Sequence, residues 1–140
     1  MNIIQIDNWR DYRRDGEQFL KTATCAHQKK RKAFSTDTLY NVTCMAIEKL
    51  IMAFLMKNGD LADNHTMADL LRALQLHLGD IPDLEEKLMY LDTFQEICSI
   101  DNFTIHIPSE EDVVKMLAIG EDVRTVLYPY LYDQNMPLTQ

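Results

Sequence analysis

The sequence predicts an all-α protein, an up-and-down bundle of about five helices within one domain. Three observations carry that expectation. Apolar residues recur at alternating spacings of three and four through most of the chain, the period of a helix with one face on a core. Only four glycines and four prolines occur in 140 residues, few for a sheet protein built on tight turns. Those that occur, with the Ser, Thr and Asp residues near them, fall where helices would start and stop.

The first helix is expected from about Asn8 to His27, with Asp7 as its cap. Trp9, Tyr12, Gly16, Phe19, Ala23 and Ala26 form its core stripe. At 100° per residue, Arg10, Arg14 and Lys21 cluster within about 40° on the opposite face. Two readings of that face stand: a solvated surface, or an anion-binding ridge continued by Lys29, Lys30, Arg31 and Lys32.

The second helix should begin near Ser35 or Asp37 and stop at Asn58-Gly59. From Leu39 to Met56 its apolar residues point in nearly every direction, so it must be enclosed on all sides. Enclosure is hard to achieve within so small a domain, and a homodimer is expected on that ground. Glu48 and Lys49 interrupt the apolar run and point about 100° apart. Each needs a partner from another helix or an edge, because an unpaired buried charge costs several kcal/mol.

The third helix is expected over Met67 to Leu78, capped by Thr66, with Met67, Leu70, Leu71, Leu74 and Leu78 inward. Asp80-Ile81-Pro82-Asp83 reads as the start of the fourth, with Asp80 as cap and Leu84, Leu88, Leu91 and Ile97 facing the core. After DNFTIHIPS, Ser109 caps the fifth helix, and Glu110, Glu111 and Asp112 suit its N-terminus. Val113, Met116, Leu117, Val123 and Leu127 are its core positions. The closing YPYLYDQNMPLTQ reads as an aromatic hook and a frayed end.

Composition bounds the function. Residues 1–34 hold eight bases against four acids, a balance of +4; residues 35–140 hold six against eighteen, a balance of −12. The acidic bulk argues against general nucleic-acid binding, which neutralises many phosphates, and leaves local binding. Cys25, Cys44 and Cys98 lack the close spacing of a zinc site and read as structural thiols. No cofactor and no metal are expected. No run of about 18 apolar residues suggests a membrane span. Acids and arginines interrupt the opening MNIIQIDNWRDYRR where a signal peptide needs an apolar core, so a cytoplasmic location is expected.

The stretch YNVTCMAIEKLIMAFLMKNGDLADNHTMADLLRAL, from Tyr40 to Leu74, joins an apolar helix with a central Glu48-Lys49, a glycine stop, His65 and a second helix. With the tryptophan-led first helix and the Pro-Ser-acidic start of the last, it resembles the HEPN domain (higher eukaryotes and prokaryotes nucleotide-binding). The resemblance covers about residues 9–128 and rests on order and spacing. It implies a helical bundle, a homodimer, and binding of a nucleotide or a minimal nucleotidyltransferase in a toxin–antitoxin-like setting.

The chain also departs from the family pattern. Met45-Ala46-Ile47 stands where polar residues are frequent, Met52 where a lysine is, and Ile97-Cys98-Ser99-Ile100 where an Arg-Tyr-Pro segment is. His65 matches the family's inter-helix histidine and precedes a helix N-terminus that attracts anions. Ribonuclease members share an arginine, four to six intervening residues and then a histidine, and Arg72-Ala-Leu-Gln-Leu-His77 fits that expression. A metal-independent RNA endonuclease using Arg72 and His77 is therefore the alternative to a non-catalytic binding module. Residues five apart on a helix diverge by about 140°, which does not favour the pair. A helical adaptor unrelated to the family is the third reading.

Overall fold

A computed structural model describes residues 5–94 and 107–132. It holds five helices: α1 (Trp9–Gln28), α2 (Thr36–Lys57), α3 (Met67–Leu78), α4 (Pro82–Asp92) and α5 (Glu110–Leu131). No strand occurs among the described residues. The all-α expectation holds. Ile97, Cys98 and His106 lie outside the described residues.

α2 is the axis of the molecule. Thirteen of its residues are buried, including an unbroken run from Leu50 to Met56. It is also long and apolar enough to cross a membrane, but most of that length lies inside the fold. α1, α3 and α5 pack around it, and α4 closes the hairpin with α3 against α5. The chain thus encloses its own apolar helix, with Met45 as the exception at 43% exposure. The premise that one small chain can hardly cover every face of α2 is corrected.

Contacts along the helices fix their directions. Trp9 at the start of α1 meets Lys57 at the end of α2, so these two are antiparallel. Glu17 pairs with Arg124, and His27 lies 3.7 Å from Glu110, which sets α5 antiparallel to α1 and parallel to α2. The strict up-and-down alternation fails once. His65 just before α3 touches Glu48, whereas His77 in its last turn meets Phe54 edge to face, so α3 runs in the sense of α2. The polar link after Gly59 (φ +73°) returns the chain part of the way down α2 before α3 begins.

Helix ends follow the expected chemistry with two shifts. Ser35, Thr66 and Ser109 each accept the backbone N–H three residues on, and Asp112 returns the bond to Ser109 to complete a capping box. α4 instead starts from Ile81, not Asp80, with Pro82 in the first position, where its missing N–H costs nothing. α1 starts from Asn8, not Asp7, without a side-chain cap. On α1, Leu20 replaces the expected Phe19 in the buried stripe, because Gly16, Leu20 and Ala23 track α2 and α5. A Cβ on Gly16 would lie 2.8 Å from Leu50 Cγ and 3.1 Å from the Ala46 carbonyl oxygen. Glycine lets α1 and α2 approach.

The expected aromatic hook is helix. α5 runs through Pro129 to Leu131, and its C-terminal carbonyls are caught by cations from elsewhere. Arg13 Nη1 donates to the Leu131 carbonyl at 2.7 Å, and the Lys57 ammonium donates to that of Tyr130. These charges also suit the negative end of the helix dipole. Below them sits Trp9, its indole N–H buried without a hydrogen-bond partner among the described residues.

Candidate functional site

Arg10, Arg14 and Lys21 are all exposed on the outer face of α1, as the helix angle requires, yet they do not converge. Arg14 is occupied by Asp11 at 3.3 Å and Asp15 at 3.4 Å. Arg10 lies over the Trp9 ring, 4.5 Å from its centroid. Lys21 lines a shallow groove of about 300 Å³ between α1 and α5, beside Glu17 and Glu121. The ridge is divided by its own acids.

His65 Nδ1 contacts Glu48 Oε1, so two residues of the family resemblance meet across the α2–α3 link. Lys49 reaches the other way and lies over Tyr12, 4.5 Å from the ring centroid. Both charges therefore find partners at the edge of the apolar helix, as the cost of burial demands.

Arg72 and His77 take separate partners. Arg72 Nη1 donates to Asp69 at 2.9 Å, and His77 Nε2 lies 2.9 Å from Asp60. The hydrogen bond from His77 holds the Asp60 carboxyl below its usual range. The two side chains leave α3 in different directions, each fixed to its own carboxylate.

The basic run places charge around a real cavity. At the α1–α2 turn a groove of about 760 Å³ is lined by Lys30, Arg31, Lys32, His27, Phe34 and Glu110, among others. Its floor belongs to a small second core of Ala23, Ala26, Leu39, Val113 and Leu117, with Phe34 packed against it. The turn is tied down by Arg31 N–H to the Ala26 carbonyl at 3.1 Å and Phe34 N–H to the Arg31 carbonyl at 3.0 Å. Three cations thus surround an apolar floor, with Glu110 as the carboxylate on the rim.

Lys30 has φ +49°, the one positive value among described non-glycine residues. That conformation costs a side-chain-bearing residue about 1–2 kcal/mol, and glycine is its usual occupant. A lysine kept there retains a cation at the expense of stability. The chemistry this arrangement supports is capture of an anion that carries a flat or apolar body. Arginine supplies paired donors and lysine a mobile point charge.

Sequence reasoning found the basic run but missed three lining residues. His27 stands two residues before the run and three before Lys30, and could have been read from that spacing. Phe34 needed the turn geometry, and Glu110 arrives from a helix about eighty residues on. Among the described residues no His, Cys, Asp and Glu group could hold a metal ion. Cys25 and Cys44 are free thiols, and burial pushes the Cys44 pKa up to about 12. Compared with known proteins, the chain matches no family model, no curated protein and no solved structure.

Proposed function

We propose that this chain is a non-catalytic binding module of the HEPN type that holds a nucleotide by its phosphates at the α1–α2 turn. The observation that carries the reading is the groove of Lys30, Arg31 and Lys32 over an apolar floor, with a lysine where backbone geometry favours glycine. Phosphates take the cations, and the base lies against Phe34. The Glu48–His65 contact supports the family assignment, because it joins residues on which the resemblance rests. With that assignment goes pairing into a homodimer and service to a partner such as a minimal nucleotidyltransferase.

Thermal melts with ATP and other nucleotides test the site. A ligand at a hundred times its dissociation constant stabilises by about 2.7 kcal/mol. Charge reversal at Lys30 and Arg31 should abolish that gain, while reversal at Arg10 and Arg14 should leave it intact. Lys30→Gly should raise the ligand-free stability by up to about 1 kcal/mol and weaken binding. A series in which no nucleotide shifts the melt, or in which the Lys30 and Arg31 reversals change nothing, refutes the site.

A further inference from the structure

We infer that anion capture in the α1–α2 groove is coupled to a proton on His27, which offsets the rim carboxylate Glu110. The inference rests on the reading of this groove as an anion site. It adds a regulation by pH that the reading does not contain.

His27 stands in the last turn of α1 and lines the groove, its side chain 26% exposed. Its Nε2 lies 3.7 Å from Glu110 Oε2, too far for a hydrogen bond but within reach of a charge pair. The Glu110 side chain is 79% exposed at the start of α5, open to solvent and to the groove alike. The other charged lining residues are Lys30, Arg31 and Lys32 from the turn, while α2 contributes Leu39. Asp37 on α2 and Glu111 on α5 are exposed and do not line the groove. Asp112 is turned to Tyr90 and to the Ser109 N–H.

With His27 neutral, three cations face one carboxylate. With the imidazole protonated, four do. An incoming phosphate therefore meets a more positive groove when the proton is present, and a bound phosphate in turn holds the proton more firmly. The two effects are one linkage and must be equal in size. Histidine is the side-chain type whose ordinary titration falls between about pH 5 and 8, so the coupling acts near neutrality. Protonation favours binding, so affinity rises as the pH falls through that window and the gain is lost above it. His65 and His77 face Glu48 and Asp60 elsewhere and do not line the groove.

The test is calorimetric titration of the full chain with ATP at about pH 5.5 and about pH 8. Comparing the parent with His27→Gln cancels the protons that ATP, His65 and His77 take up themselves. The two should bind alike at the higher pH, and the parent roughly fivefold tighter than the variant at the lower. Buffers of different ionisation enthalpy should show the parent taking up more protons on binding than His27→Gln. Glu110→Gln should bind ATP more tightly than the parent at the higher pH, a gain that damage to the fold would not give. Lys30→Glu should abolish binding at both values, which ties the titration to the groove. An equal pH response in the parent and His27→Gln overturns the coupling and leaves the groove as a site. A loss in His27→Gln that is the same at both values assigns the residue to packing and overturns it too. No binding of ATP at either pH, or binding that survives Lys30→Glu, overturns the groove reading and the coupling with it.

Discussion

Cys44 and Tyr90 carry the sharpest consequence at the scale of single residues. Burial first, then the hydrogen bond to Asp112, pushes the Tyr90 phenol up to about 12 from 10.0, and burial moves the Cys44 thiol from 9.0 to about 12. Both groups keep their protons longer in the folded chain than in the unfolded one. The stability they confer is therefore complete below the unfolded values and is lost as the pH rises through about 9 to 12. Urea melts should show a flat plateau near neutrality and a decline above pH ~9. Cys44→Ala should remove the first part of that decline, and an unchanged alkaline slope would refute the assignment. That Cys44 would be buried was legible from its place on the apolar helix. The proton behaviour of Tyr90 was not, because Asp112 reaches it from another helix.

At the scale of helices, three of five starts were legible and one stop was not. Serine and threonine caps act within three residues, so Ser35, Thr66 and Ser109 could be read directly. Ser109→Ala should cost about 1 kcal/mol, seen as a fall of a few degrees in the melting temperature. An unchanged melt would mean that α5 begins without help from its cap. The segment read as an aromatic hook continues the last helix through Pro129. Its ring removes one backbone donor, but buried Leu127 and Leu131 and the cations Arg13 and Lys57 hold the final turn. Those cations come from residues more than seventy positions away, beyond any local signal. The Arg-Lys face of α1 shows a different omission: its angle was read, but Asp11 and Asp15, three residues and one residue from Arg14, were local partners that spacing alone could have shown.

At the scale of the whole molecule, the core was legible in outline and its economy was not. An all-round apolar helix demanded enclosure, and the chain provides it by packing α1, α3 and α5 against α2. A homodimer thus no longer follows from uncovered α2 residues and rests on the family resemblance alone. Sedimentation at tens of micromolar should still show a dimer if the HEPN assignment is right, and a stable monomer would count against it. The way α5 is held has one more consequence. Ile6 N–H bonds the Met56 carbonyl at 2.9 Å, while Arg13 and Lys57 grip the last turn of α5. The described chain therefore enters and leaves at one pole, beside the tyrosines. A dye or affinity handle carried at exposed position 7 would stand at that pole and leave the groove at the α1–α2 turn open. For immobilised measurements the two poles can thus be presented in turn: tethering at position 7 offers the groove to solution, and tethering at the turn offers the tyrosines.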